Sequence, residues 1–511
     1  MLLWPLLFFC VNIFIIQLHY NSDFSSGLFN HFDLDFNLSS VSNYYIIMLS
    51  VCGLIVLYYN SHYFSWQFNY LNFLILFFLS IMCYLIITSS FFNTLIAWEF
   101  LGVVSFILIL FYSNYDTSRA ANITLISSRF GDVGLFCLLS LAFFNWNVNN
   151  FFSLSFLIIV ISKSAIFPLG SWLLEAMRAP TPVSCLVHSS TLVAAGVWFI
   201  LNYIYILDSS ILESLYILSL ATIIYSSLSS LYYLDLKKLI ALSTCNNISW
   251  CIVYLCCHSP ELCLIQLVSH GVGKCMLFAG AGDVFNNSGG SQLNSATNNK
   301  ISGNLSNIFI CSILVLFISG LPFLGVYFSK HVLLTSSWES ANIFFIFILN
   351  ICFICTYIYS MRLFLLLSKI NTSQNSGFTS TYHFSAPILV ISCIINFFYS
   401  CCNEEIIILD SILSFYILCL QFFGLFLGWV KYTIYSRLTF NLYFMGQDFL
   451  ILIWNKVSSF TILFIQFISN FRFERFINNI SFNINLLNFN FFNVITISIF
   501  FLFFLLTYLI F

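Results

Sequence analysis

Residues 161–200 read ISKSAIFPLG SWLLEAMRAP TPVSCLVHSS TLVAAGVWFI, and their reading decides how the rest of the chain is understood. Lys163 sits in an apolar run that begins near Phe151, and Pro168 follows five residues later. A proline inside a helix removes its own N–H bond and clashes with the carbonyl four residues back, here Ser164. A helix break is therefore predicted just after Lys163, freeing backbone carbonyls at membrane depth. Such a break is tolerated only where it is buried in protein or lines a wet cavity. Thr181-Pro182 then reads as an N-cap followed by proline at the first helical position. The new helix carries His188 inside a second apolar span.

A lysine at mid-bilayer costs about 3 kcal/mol on insertion scales. On one reading Lys163 and His188 lie near span ends and snorkel to the interface. On the other an intramembrane ionisable residue is functional. Lys163 lies about twelve residues into its span, near mid-depth by helix rise, which favours the second.

Composition supports the membrane setting. Of 511 residues, 60% are hydrophobic, 20% aromatic and 7% charged, which no soluble core resembles and a polytopic membrane protein does. A net charge of −2 argues against nucleic acid as a partner. Cysteines such as Cys52, Cys137 and Cys311 fall within spans, where they act as small hydrophobes. Cys256-Cys257 and Cys401-Cys402 are adjacent pairs, not the CxxC spacing of a metal site, so no zinc or iron–sulfur site is expected. MLLWPLLFFC at the start lacks a positive n-region and reads as a first span. The abundance of Phe, Ile, Asn, Tyr and Ser hints at T-rich mitochondrial codons.

Apolar windows of about 20 residues mark the spans: near 1–18, 44–60, 67–90, 92–112, 120–144, 151–177 (broken), 182–206, 211–231, 239–257, 261–285, 305–329 (broken), 342–367, 384–400, 411–430 and 490–511. That makes about fifteen. Arg119, Arg178, Lys237 with Lys238, Lys300, Lys369, and Lys431 with Arg437 follow even-numbered spans. Positive-inside bias puts those loops, and the N-terminus, on one side, the matrix side in a mitochondrion. Residues 285–307 read as a flexible polar loop. From 438 to 487 apolar residues are interrupted by Asp448, Lys456, Arg472, Glu474 and Arg475, which suits an interfacial helix. A uniformly apolar anchor closes the chain.

The pattern KSA..PL..WL..AM.APTPVS.L.HSST.V.AG across residues 163–196 resembles the signature of the proton-translocating, antiporter-like subunits of respiratory complex I, a family that includes Mrp-type sodium/proton antiporter subunits. Gly170 stands where relatives usually have His, and Leu174 where they usually have Pro. The resemblance implies an all-α membrane bundle of two inverted five-helix repeats with broken helices at Pro168 and Pro322. A lateral arm and terminal anchor resemble the arm-bearing member of the mitochondrial complex. The implied organisation is N-terminal helices over 1–66, a translocating core over 67–437, a lateral helix over 438–487 and an anchor over 488–511. It also implies the mitochondrial inner membrane, neighbouring membrane-arm subunits (the paralogues numbered 4 and 2) along the lateral helix, and membrane lipids and protons as contacts. NAD, FMN, iron–sulfur clusters and ubiquinone would belong to partner subunits, with no cofactor on this chain. A free-standing Mrp-type cation/proton antiporter shares the core motifs and is the alternative.

Several residues could carry protons. Glu99, in LIAWEFLG, has no countercharge in its own span; it is either a neutral carboxyl in a helix interface or the partner of Lys163. An opposite charge favours both ionised forms and desolvation opposes them. In the family, Trp98-Glu99 matches the glutamate that pairs with this lysine. Arg129 and Asp132 match the family's R-x-G-D and share a helix face, either as a surface pair or with Asp132 supporting Glu99–Lys163. Gln266, His270 and Lys274 are spaced to stack on one helix face. The family has His-x3-His-x3-Lys, so Gln266 departs from it and cannot titrate; His270 and Lys274 remain either a central relay or satisfied core residues. Lys330 follows the Pro322 break and matches the family's exit lysine, but His331 replaces the Asp that usually follows. Lys237, beside Lys238 at a helix start, is read equally well as a positive-inside charge or as part of a relay.

Overall fold

In the computed structural model, residues 39–64, 68–143, 149–204, 207–287, 292, 305–322, 324–340, 343–368, 382–402, 411–434 and 456–464 are described. Every regular element among them is helical. In chain order they are α1 (Ser40–Tyr63), α2 (Phe68–Ile87), α3 (Phe91–Ile109), α4 (Tyr115–Phe143), α5 (Asn149–Lys163), α6 (Ser171–Ala176), α7 (Thr181–Leu186), α8 (Ala194–Tyr203), α9 (Ser209–Ser230), α10 (Leu236–Cys256), α11 (Pro260–Asn287), α12 (Leu305–Ser319), α13 (Tyr327–Ser340), α14 (Ile343–Ser368), α15 (Tyr382–Cys402) and α16 (Ser411–Ile434). The chain divides into two compact units, Met1–Gln447 and Asp448–Phe511. Within the second, residues 456–464 form an exposed helical stretch.

Ten helical segments are long and apolar enough to cross a membrane, and Phe151–Lys163, Phe309–Ser319 and Pro387–Phe398 are shorter apolar helices. The chain is therefore a multi-pass membrane protein. The expected spans at 1–18 and 490–511 lie outside the described residues, as does the expected lateral helix except for 456–464. The sequence window ending at 329 takes in only the start of α13, fourteen residues of helix beyond the second break, because its Ser, Thr and Trp content dilutes the apolar signal.

Burial inverts the soluble pattern. The span over Thr181–Tyr203 is 100% buried and those over Leu236–Cys256 and Pro260–Asn286 are 94% and 83% buried, against 22% for Leu413–Tyr432. The buried α10 is also among the polar ones: Ser243, Thr244, Asn246, Asn247 and Ser249 are all buried on it. Lipid cannot satisfy such groups, so the polar helix takes the centre. There Asn246 Nδ2 donates to the Ile223 carbonyl at 3.1 Å and Thr222 Oγ1 to Ser249 Oγ at 2.7 Å. The apolar α16 turns Phe415, Phe422, Phe426 and Trp429 outward.

Both predicted breaks are present. α5 stops at Lys163, and Ala165 takes φ +54°. The carbonyls there are not left free as expected: Trp172 Nε1 donates to Ser162 O at 2.9 Å, Cys245 Sγ to Ala165 O at 3.2 Å and Ile166 N to Ile161 O at 3.2 Å. The second break runs from Gly320 to Val326. Gly320, at φ +83°, holds a backbone conformation that side-chain-bearing residues rarely adopt. The N-cap of α7 is Pro180, with no side-chain capping bond; Thr181 is the first helical residue and its hydroxyl lies 3.3 Å from Tyr59 Oη instead. α7 then runs into a π-helical turn, Val187–Thr191, where the hydroxyls of Ser190 and Thr191 donate to the Leu186 carbonyl at 3.3 and 2.9 Å.

The loops that the Lys/Arg pattern places on one side do come together. Arg178 Nη1 reaches Asp116 Oδ1 at 3.2 Å, Leu236 N donates to Gln292 O at 3.2 Å, and His62 Nδ1 meets Asp283 Oδ1 at 3.6 Å.

Candidate functional site

Three clusters of polar and ionisable residues, each with a buried lysine, stand along the bundle. The first gathers at the α5 break. α3 supplies Glu99, α4 supplies Arg129 and Asp132, and α5 ends on Lys163. Arg129 Nη1 donates to Glu99 Oε2 and, at 3.1 Å, to Asp132 Oδ2. Arg129 thus bridges two carboxylates, Glu99 at 28% exposed and Asp132 buried. The expected Glu99–Lys163 ion pair is not formed among the described residues: Arg129 holds the Glu99 carboxylate. The i,i+3 spacing foretold the Arg129–Asp132 contact; that Arg129 also reaches α3 depends on how α4 is rotated in the bundle.

Lys163 is 2% exposed. Its ammonium lies 5.1 Å from the centre of the Trp98 ring, a cation–π arrangement. No hydrogen-bond partner for Nζ is found among the described residues. Asp132 and Glu99 are near enough to act on it electrostatically. Lys163 lines a cavity with room for about one water molecule, whose other walls include the hydroxyl-bearing Ser105, Thr124, Ser127, Ser128 and Ser162. A buried cation facing hydroxyls and a water-sized space can exchange a proton without moving far.

His188 falls in the π-helical turn; its side chain lies outside the described set. π-bulges of this kind are frequent at functional sites.

The second centre is on α11. Gln266, His270 and Lys274 are all buried on it. Ser329 Oγ donates to Gln266 Oε1 at 2.5 Å, and Gln266 Nε2 donates to Asn247 Oδ1 at 3.4 Å. His270 Nε2 has no hydrogen-bond partner among the described residues. Lys274 Nζ donates to the Ile240 carbonyl at 3.1 Å and to the Ser243 hydroxyl. A second water-sized cavity joins Lys274 and Ser243 to Ser319, Tyr359 and Ser360.

The third centre is Lys330, in the first turn of α13. Its Nζ donates to the Ser319 carbonyl at 2.8 Å and lies 5.7 and 5.9 Å from the ring centres of Trp250 and Tyr357. A carbonyl and two aromatic faces stand where the sequence lacks a carboxylate. Ser319 both lines the second cavity, with Lys274, and accepts from Lys330.

Lys237 is buried and donates to the Ala179 carbonyl just before α7, which does not suit a charge left at the surface. Lys238 fits that description: it is part-exposed and lies 3.6 Å from Asp235. Pro168 and Pro322 both lie in the breaks. Sequence reading overlooked Arg362, whose Nη2 donates to the Tyr233 carbonyl at 2.9 Å in the turn after α9, and the His62–Asp283 pair. A lone acid in the apolar run GAGDVF was the available signal for Asp283.

Among the described residues no cluster of three or more His, Cys, Asp or Glu is placed to hold a metal ion. Each of the two cavities has room for about one water molecule.

Residues 88–356 match the family described as NADH:quinone oxidoreductase/Mrp antiporter, TM. The chain is 34% identical over 405 residues to NADH-ubiquinone oxidoreductase chain 5 of Caenorhabditis elegans, covering 76% of this chain and 74% of that one. It is 33% identical over 374 residues to the protein of the same name from Ascaris suum, covering 70% and 66%. Its fold resembles a chain of the archaeal membrane-bound sulfane sulfur reductase, a respiratory membrane complex, with TM-score 0.65 at 15% identity over 82% of this chain and 92% of that one. It also resembles a chain of the Mrp complex from Dietzia sp., with TM-score 0.57 at 18% identity over 84% and 56%.

Proposed function

The chain belongs to the NADH:quinone oxidoreductase/Mrp antiporter family, and from that premise we propose that it is a proton-translocating membrane-arm subunit of a respiratory NADH:ubiquinone oxidoreductase. The observation that carries this reading is Lys163: a buried ammonium at a helix break, lining a water-sized cavity with hydroxyl-bearing residues. Taking such a cation from water is costly. Its ionisation therefore responds to small changes in nearby charge, and the Glu99–Arg129–Asp132 bridge is what can change. If Arg129 moves toward Glu99 the field of Asp132 on Lys163 strengthens; if it moves toward Asp132 that field weakens. A proton held at Lys163 can thus be gained and released as the bridge shifts.

The rest of the path on this reading runs through His188 in the π turn, past Lys237, to His270 and Lys274, across the second cavity and out by Lys330. Gln266 orients Ser329 and carries no proton. The pair of broken helices, each with a lysine at the break, suits two inverted five-helix repeats within about fifteen spans. The core would then cover 67–437, with 1–66 ahead of it, a lateral helix over 438–487 lying along paralogous membrane-arm subunits, and an anchor over 488–511. On this reading the protein resides in the mitochondrial inner membrane with its N-terminus on the matrix side. NADH, FMN, iron–sulfur and quinone chemistry takes place on partner subunits, and this chain holds no cofactor.

The competing reading, a free-standing Mrp-type antiporter, shares the core and differs in its company. Solubilising the native membranes and separating complexes under non-denaturing conditions tells them apart. Comigration of this chain with NADH-oxidising activity is expected; comigration only with other antiporter subunits would exclude the complex I reading.

A further inference from the structure

A relay needs a place where protons leave water, and the lysines of the three centres described above, Lys163, Lys274 and Lys330, are buried. On the face where the Lys/Arg-bearing loops gather, His62, in the last turn of α1, meets Asp283, near the end of α11, with Nδ1 and Oδ1 3.6 Å apart. The imidazole is about a third exposed and the carboxylate 2% exposed. One turn inward from His62, Tyr59 is fully buried, and its hydroxyl lies 3.3 Å from Thr181 Oγ1. That hydroxyl occupies the space over Gly282: a Cβ at 282 would collide with it. Glycine beside Asp283 is therefore what lets the Tyr59 hydroxyl pass between α1 and α11. Asp283 acts electrostatically on Tyr59 and on Cys311 of α12, so the titratable groups seen to face it are His62 and Tyr59 from α1 and Cys311 from α12. Thr181 begins α7, two residues after the carbonyl that receives Lys237. Polar groups thus stand in succession, His62 and Asp283 3.6 Å apart, Asp283 near enough to act on Tyr59, and Tyr59 3.3 Å from Thr181 at the mouth of the most buried helix.

We propose that the His62–Asp283 pair is the port through which protons from this face reach the interior, with the Tyr59 and Thr181 hydroxyls as the next carriers. This rests on the proton-translocating reading above. In the step itself, imidazolium gives its Nδ1 proton to the Asp283 carboxylate, leaving neutral imidazole and a neutral carboxyl. That carboxyl donates to the hydroxyl chain, each hydroxyl passing on its own proton as it accepts another. The 3.6 Å gap is longer than a hydrogen bond, and a single water or a small rotation of the exposed ring bridges it. Asp283 is nine residues from Lys274 on the same helix, about 13 Å by helix rise, so the port opens onto the central lysine's own helix.

The test measures protons moved per NADH oxidised by the intact complex in sealed vesicles, for Asp283→Asn, Asp283→Glu, His62→Gln and Lys163→Met. Asp283→Asn is expected to lose the same fraction of pumping as Lys163→Met, and Asp283→Glu, which keeps a carboxylate, to regain it. His62→Gln is expected to shift the pH profile of pumping, with the decline beginning at lower pH on the loop-bearing side. Full pumping by Asp283→Asn alongside loss in Lys163→Met would overturn the port alone. Full pumping by both would overturn the translocation reading and the port with it. If Asp283→Asn fails to assemble, His62→Gln decides the matter, since its side chain is exposed: an unshifted pH profile overturns the proposal.

Discussion

Lys330 reaches back across the helix break and donates from Nζ to the carbonyl of Ser319 at 2.8 Å. The cation of one half-helix caps the C-terminus of the other, where the helix dipole favours positive charge. This explains how the lysine persists although His331 replaces the acid expected beside it. It also ties the charge of Lys330 to the geometry of the break: when the lysine loses its proton the cap weakens.

Lys330→Met is therefore expected to remove both the titratable group and the cap. An unpaired buried carbonyl costs about 1–3 kcal/mol, so thermal dissociation of the assembled complex should begin at lower temperature, and protons moved per NADH should fall. Unchanged dissociation temperature would mean that the Ser319 carbonyl finds another donor.

Trp172→Phe addresses the first break. It deletes the indole donor to the Ser162 carbonyl while keeping most of the ring volume. A loss of about 1–3 kcal/mol of stability is expected from the orphaned carbonyl, read as a lower midpoint for loss of NADH-driven quinone reduction on heating. A midpoint equal to that of the unsubstituted complex would contradict the assignment of Trp172 as the donor on which the Ser162 carbonyl depends.

How much of this was legible beforehand can be judged from these two breaks. Pro168 and Pro322 mark them, and Lys163 and Lys330 stand beside them, because proline's missing donor and a lysine's cost in lipid are properties of the residues alone. Partners were a different matter. Arg129 and Asp132 were visibly neighbours at i,i+3, but that Arg129 also takes Glu99, displacing Lys163 from that role, depends on how α3 and α4 are rotated against each other. Likewise Lys237 is indistinguishable in sequence from Lys238, yet one is buried on the Ala179 carbonyl and the other part-exposed by Asp235. Depth and rotation are set by packing across the bundle, which a single strand of letters does not encode locally. The π turn at His188 left only a faint trace, the run of hydroxyls in HSST that bond to nearby carbonyls.

The position of Arg129 carries its own prediction. Arg129→Gln leaves Glu99 and Asp132 without their shared cation, and two neighbouring carboxylates disfavour joint ionisation. One is expected to hold a proton, weakening the field at Lys163. Pumping should fall while assembly persists, since Arg129 is half-exposed. An Arg129→Lys protein should recover part of the loss, as it keeps the charge but not the fork. Equal pumping by Gln and Lys variants would show that the charge at 129 is not used.

Gln266 and His270 separate orientation from proton carriage on α11. Gln266→His is expected to be tolerated, since an imidazole nitrogen can still accept from the Ser329 hydroxyl. His270→Ala should cut pumping at least several-fold, because it leaves two helical turns from 266 to Lys274, about 12 Å, with no protonatable group between them. Pumping assays on the reconstituted complex distinguish these, and silence in both variants would place the path elsewhere.

The central claim is that Lys163 is a titrating group and not a structural cation, and one measurement bears on it most directly. Methionine keeps the length and apolar stem of lysine without its charge, and no hydrogen-bond partner for Nζ is found among the described residues, so Lys163→Met should assemble normally. Protons moved per NADH oxidised by that assembled complex, in sealed vesicles, are predicted to fall clearly below those of the unsubstituted complex measured alongside. An assembled Lys163→Met complex that pumps as many protons per NADH as the original would contradict the account.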